Sequence, residues 1–269
     1  MKLIEISPRQ YQLITPLIRE YADYPVVNAV IEGNSPGRIF VDNSVDPQTA
    51  LVLTNAGFSY PMGSPQNKAF NHALKEKLDS EIFPEIQSSS DPSLVFYPLS
   101  DGWEPPLKGM LRTRKIYDLF RKQFCFRPEK FALHTDWQNR IPAGFSLHPI
   151  SQDLLDKFGA DMFPWESPQA FLEKGFGFWL LAGDEIACEC FSVFMGGGAA
   201  EINIHTEEKY QRHGLAYIAA CAFITECLKR SLRPNWECWW DNESSASLAQ
   251  KLGFEPLGDH PVFLVELNL

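Results

Sequence analysis

From Leu215 onward, apolar residues recur every three or four positions: Leu215, Ile218, Ala219, Ala222, Phe223 and Cys227. That spacing lays one face of a helix on a core and predicts a helix over residues 213–230, ending near Arg233 and Pro234. Upstream stand three apolar, β-rich runs, FGFWLLAG, EIACECFSVFMG and AAEINIHT, separated by Gly183-Asp184 and by Gly196-Gly197-Gly198. Both separators are hairpin signals, and the three glycines, flanked by strands, read as a turn rather than a phosphate cradle. NWECWW and VFLVEL predict two more strands, with ESSASLAQKLG between them as a helix closed by Gly253. GFSLHPI reads as a strand, and residues 151–159 and 167–174 as short helices, the second opened by Ser167 as N-cap and Pro168 at the first helical position. The order β-α-α-β-β-β-α-β-α-β predicts an α/β or α+β lobe with a mixed sheet.

The first half is patterned more faintly. Residues 8–22 read as a helix, RIFVDN as a strand and ALVLT-NAG-FSYPM as a hairpin; residues 66–80 read as a helix, SLVFYP as a strand and 102–111 as a helix. Hairpin, helix, strand, helix is also the order over 185–253, so a smaller N-terminal α/β lobe that is a diverged duplicate of the second is expected. HTDWQNRIPAG, residues 134–144, is the natural boundary, giving domains 1–140 and 141–269.

Composition adds limits. The chain has 269 residues, 45% hydrophobic and 22% charged, which is ordinary for a globular protein of one large or two smaller domains. MKLIEISPRQYQ lacks the apolar core of a signal peptide, and no stretch approaches the roughly 18 apolar residues of a membrane span, so a cytoplasmic location and no membrane partner are expected. A net charge of −10 argues against a nucleic-acid surface and, in bulk, favours a cationic partner; an anionic ligand would need a local cluster of donors. The six cysteines form no CxxC pair and read as buried free thiols, with no metal site.

One local cluster of donors stands out at the mouth of the long helix, in YQRHGLA. A helix N-terminus carries unpaired backbone N–H groups and partial positive charge. Glycine there sacrifices helix propensity but leaves the donors bare. Gly214 and Ala216 keep the approach open, while Gln211, Arg212 and His213 line it with further donors, making a phosphate-sized anion site between a strand and a helix. Neither GxxxxGK[ST] nor a GxGxxG after a strand is present, so a P-loop or a dinucleotide fold is unsupported.

Gln211 to Ala216, Q-R-H-G-L-A, resembles the Q/R-x-x-G-x-G/A signature of the GNAT superfamily of acyl-CoA-dependent N-acyltransferases. DNESSASLAQKLGF resembles that family's N-x-x-S/A-x-x-L-Y-x-K-x-G-F segment, in the right order and on the right elements. The two lobes together resemble the GNAT group that includes zwittermicin-resistance acetyltransferases. The resemblance implies a GNAT fold with splayed central strands in the second lobe, acetyl-CoA as cosubstrate, and an amine-bearing small molecule or peptide as acceptor. It further implies that backbone N–H groups from Arg212 through His213, Gly214 and Leu215 to Ala216 hold the pyrophosphate. Ile204, His205 and Thr206 would pair with the pantetheine arm, and Asn242 and Ser245 would lie near the sulfur. Where the family often has a tyrosine as acid for the departing thiolate, this chain has Ala249. A thiol with a cysteine-like pKa near 8.5 leaves without a strong acid. A catalytically silent CoA-binding module is the alternative.

An attacking amine must be neutral, so a base is needed. Glu201 and His205, four residues apart on one strand, share a face and are the candidates, each weighed against a plain structural role. Cys238 has no histidine at a fixed spacing, which favours direct transfer over a covalent intermediate. Trp236, Trp239 and Trp240 read as core packing, with acceptor-site walls as the alternative.

Overall fold

The computed structural model describes residues 3–21, 24–89, 91–100 and 102–267. Two compact units divide the chain differently from a single cut at residue 140: one comprises 1–121 with 259–269, the other 122–258. The physical reason is the last strand. Only its start belongs to the second unit, and its end returns to pair antiparallel with a strand of the first, Phe263 opposite Phe96 and Val265 opposite Leu94.

In chain order the first unit holds β1 (Ile4–Ile6), α1 (Pro25–Ile31), β2 (Gly37–Val41), β3 (Thr49–Thr54), β4 (Phe58–Gly63), α2 (Lys68–Lys77), α3 (Phe83–Gln87), β5 (Ser93–Phe96), α4 (Glu104–Leu111) and the start of β6 (Lys115–Phe126). The second continues with α5 (Pro128–Phe131), β7 (Ser146–Pro149), α6 (Gln152–Phe158), α7 (Pro168–Lys174), β8 (Gly177–Ala182), β9 (Glu185–Gly196), β10 (Ala199–Thr206), α8 (Leu215–Lys229), β11 (Arg233–Trp239), α9 (Glu243–Lys251) and the start of β12 (Phe254–Glu266). Both units are mixed α/β, with strand orders β1-β2-β3-β4-β5-β12 and β11-β10-β9-β8-β7.

In the second unit the patterned elements stand where the sequence puts them. Ser167 caps α7, its Oγ accepting from Ala170 N at 3.1 Å. Gly197 and Gly198, at φ 60° and 69°, form the two-residue turn between β9 and β10, whose right-handed twist calls for positive φ at both positions. α8 is buried nearly all round, not on one stripe; Ile218, Ala219, Ala222, Phe223 and Cys227 join Ala220, Cys221 and Ile224 in the core against β9 and β10. The opposite face of the sheet packs Trp179, Phe191 and Leu181 against α6 and α7.

The first unit departs further. The run predicted as a helix over 8–22 is 3-10 helix over Pro8–Leu17 and Arg19–Tyr21, because Pro16 has no N–H and its ring opposes continuous α-helix; residue 22 lies outside the described residues. α1, whose residues are all buried, has no periodic signature that marks it in the sequence. β6 has none either, because charged residues interrupt its alternation. Pro256, Gly258 and Pro261 likewise break the pattern of the first half of β12.

Candidate functional site

β10 and β11 run parallel but pair only at their starts, Ala199 with Arg233, Ala200 with Pro234 and Glu201 with Asn235. Beyond Glu201, β10 stays paired with β9 as far as Thr206, and no ladder pair joins it to β11 among the described residues. The sheet therefore opens into a V, exposing the β11-side edge of Ile202–Thr206.

The mouth of α8 faces this opening. Gly214 is its N-cap, in the left-handed conformation at φ 77° and ψ 10°, with no side chain capping the helix. Arg212 is also left-handed, at φ 66°. Two nearby left-handed residues turn the loop sharply, and the N–H groups of Arg212 to Tyr217 find no acceptor among the described residues. A Cβ built on Gly214 meets nothing within 4 Å, so the glycine answers to the backbone angle and to keeping this surface bare, not to crowding by the protein.

Between the V and the helix mouth lies a cleft of ≈ 570 Å³. Ile204, His205, Thr206, Gln211, Arg212, Gly214, Leu215, Ala216, Asn242 and Ser245 all line it. His213 does not; its Nδ1 turns back to the carbonyls of Gln211 and Tyr210, at 2.9 and 3.1 Å. Gln211 braces the loop by donating Nε2 to Thr206 O at 3.2 Å. Asn242 caps α9: its Oδ1 accepts from Ser245 N at 3.0 Å and Ser244 Oγ at 2.9 Å. Ser245 Oγ accepts from Trp236 Nε1 at 3.0 Å, which fixes the hydroxyl at the cleft wall.

The two candidate bases are placed very differently. His205 is exposed and lines the cleft, with Nε2 3.7 Å from Glu207 Oε1. Glu201 is buried at the closed end of the V, outside the cleft lining, its carboxylate accepting from Asn235 Nδ2. Four residues at about 3.3 Å each separate them by roughly 13 Å, so they cannot serve one point.

Sequence reasoning missed Tyr210, Tyr217, Ser244 and Leu248, which also line the cleft. Helix period carries Tyr217 and Leu248 there, and Ser244 follows from the cap at Asn242. Tyr217 O–H lies 2.8 Å from His134 Nδ1, and burial pushes its pKa up. Ala249 is fully buried in the core. A tyrosine at that position would be overpacked instead of reaching the cleft.

Cys238 is buried, with its thiol near Asn242 O. Burial pushes the Cys188 thiol up to about 11 and that of Cys221 to about 12, far from nucleophilic at neutral pH. Trp236 is core, whereas Trp240 lies beyond the end of β11 and is exposed. Among the described residues no cluster of His, Cys, Asp and Glu could hold a metal, and no helix is long and apolar enough to cross a membrane.

The model of the GNAT acetyltransferase family matches residues 15–263. Over 266 residues the chain is 27% identical to "Uncharacterized N-acetyltransferase YdfB" of Bacillus subtilis (strain 168), covering 97% of this chain and 98% of that one. The fold is similar to that of a GCN5-related N-acetyltransferase-like protein from Streptococcus suis 89/1591, with a TM-score of 0.72 at 22% identity over 96% of this chain and 98% of the other. It is also similar to a tandem GNAT protein from the clavulanic acid biosynthesis pathway, with a TM-score of 0.61 at 12% identity over 100% and 99%. At such identities these structures speak for the fold alone.

Proposed function

The chain belongs to the GNAT acetyltransferase family, and we propose that it transfers an acetyl group from acetyl-CoA to a primary amine of a small molecule or peptide in a ternary complex. The observation that carries this reading is the uncapped mouth of α8, opening on the same cleft as the unpaired edge of β10. The residues present fit the cosubstrate. Backbone N–H groups of Arg212 to Ala216 suit a pyrophosphate, and the free edge at Ile204–Thr206 suits an amide-bearing arm, as an added strand would. Acetyl-CoA supplies an activated thioester. An N–H on the β10 edge would polarise its carbonyl, and Asn242 and Ser245 would border the sulfur.

Transfer forms an amide N–C bond as the thioester C–S bond breaks. The amine proton passes to a base, and the thiolate takes its proton from solvent, since Ala249 is buried and offers none. Of the two candidate bases, exposure and position favour His205 over Glu201. Burial of Cys238 supports direct transfer. The reading places the enzyme in the cytoplasm, and the antibiotic self-resistance group suggests which amines to try first.

Measuring CoA release with acetyl-CoA against a panel of amines tests this. His205→Ala should lower kcat by about 10²-fold or more while leaving acetyl-CoA affinity nearly intact, whereas Glu201→Gln should retain turnover if the protein folds. If acetyl-CoA binds yet no amine releases CoA, the chain is a silent CoA-binding module.

A further inference from the structure

His205 is the one histidine or carboxylate-bearing residue among those lining the cleft. Ala200 and Ile202 point to the α8 core and Ile204 packs on it, so alternation sets His205 on the other face of the sheet. On that face its cross-strand partner is Glu189 of β9, followed by Trp179 of β8 and His148 of β7. Directly opposed residues have Cβ atoms about 4.5–5.5 Å apart. Glu189 is half-buried, and among the described residues its carboxylate has neither an ion pair nor a hydrogen bond. Burial pushes that carboxyl up from the ordinary range; His205 opposes the shift and Glu207 adds to it.

A partly desolvated carboxylate with no counter-charge is costly at rest and gains most when a cation forms beside it. The imidazole opposite becomes a cation only when it accepts a proton. Glu207, just past the end of β10 and 3.7 Å from Nε2, already serves the exposed side of the ring. Tyr210 and Arg212 face the same cleft from the loop.

Resting on the reading of His205 as base, we infer that Glu189 is a positioning residue that acts through His205. It stabilises the imidazolium formed as the acceptor amine gives up its proton to the ring, an interaction stronger in the transition state than in the ground state. The proton ends on His205, and Glu189 exchanges none.

Glu189→Gln keeps the shape and removes the charge. It should lower kcat about tenfold, equivalent to about 1.4 kcal/mol, and leave the KM for acetyl-CoA unchanged. The acidic limb of the pH–rate profile should move to lower pH, because an imidazolium without its carboxylate is harder to form. In a His205→Ala background the same change should cost nothing further. Acetyl-CoA affinity reports that the variants are folded, and Glu189→Asp should recover part of the rate. Wild-type kcat and pH profile in Glu189→Gln, or an undiminished loss in the His205→Ala background, would overturn the proposal. Normal turnover in His205→Ala alone would overturn both this and the reading it rests on.

Discussion

Each unit contains a pair of parallel strands that separate after a short ladder, followed by a helix whose N-terminus lies beyond the first strand. In the second unit these are β10, β11 and α8; in the first they are β4, β5 and α2, with only Phe58–Val95 and Ser59–Phe96 paired. The ends of the two arrangements differ. α8 starts on an uncapped glycine. α2 starts on Asn67, whose Oδ1 accepts from Phe70 N at 3.1 Å and whose Nδ2 donates to Asp42 Oδ2 at 2.9 Å. In the first unit, then, the protein's own amide takes the donor and a carboxylate stands where an anion would have to come. The opening differs too. Tyr21 O–H bonds to Pro61 O on one arm and to Tyr97 O, at 3.3 Å, on the other, and the rings of Tyr60 and Tyr97 stack at 4.7 Å behind it. One supersecondary plan leaves an open cleft when its polar ends are bare and becomes plain core when side chains satisfy them.

The largest expected effect comes from emptying the plug. Tyr21 is fully buried, and Tyr21→Ala should cost about 3–5 kcal/mol of stability, read from a denaturant midpoint, without creating a second CoA site. Tyr21→Phe, which removes only the hydroxyl, should cost about 1 kcal/mol. Equal, small losses in both would mean that the tyrosines do not hold the first unit's arms.

At the other helix mouth, Gly214→Val forces a branched side chain into a left-handed position on the face the pyrophosphate would approach. Acetyl-CoA affinity should fall at least tenfold, about 1.4 kcal/mol, by calorimetry on a folded variant. Wild-type titration should give one site per chain; two sites would erase the contrast between the units. Asn67→Ala, the matching change in the first unit, should cost about 1 kcal/mol of stability and leave that stoichiometry at one.

How much of this was legible follows from sequence separation. The α8 mouth is local: Gln211 to Ala216 are consecutive, and the glycine announces the backbone angle by itself. Asn242 and Ser245 share one cap. Asp42 and Asn67, by contrast, are joined only by the register of a folded sheet, and Tyr21 meets Pro61 and Tyr97 across stretches that carry no pattern. Glu189 faces His205 only because β9 carries one residue more than β10 where the register shifts between Glu201 and Ile202. A one-residue slip would turn it to the other face. The long strands β6 and β12 were hidden because charges, prolines and a glycine break the alternation by which strands are found.

The smallest effect separates the units by their surface charges. In the second unit Glu255 bonds to Lys130 Nζ at 2.6 Å and Arg127 Nε at 2.7 Å, and these cations hold its carboxyl down at about 2. In the first, Lys77 and Arg38 lower Glu81 in the same way. A depressed carboxylate stabilises the fold above the unfolded-state value near 4.5 and loses that contribution as pH falls toward the folded-state value. Wild type should therefore exceed Glu255→Gln in urea midpoint at pH 7, the margin should shrink below about pH 4.5, and by about pH 2 most of it should be gone. Because the pairs are open to water, added salt should narrow the margin at every pH. A margin that grew on acidification would reverse the sign and show that Glu255 is held as the neutral acid.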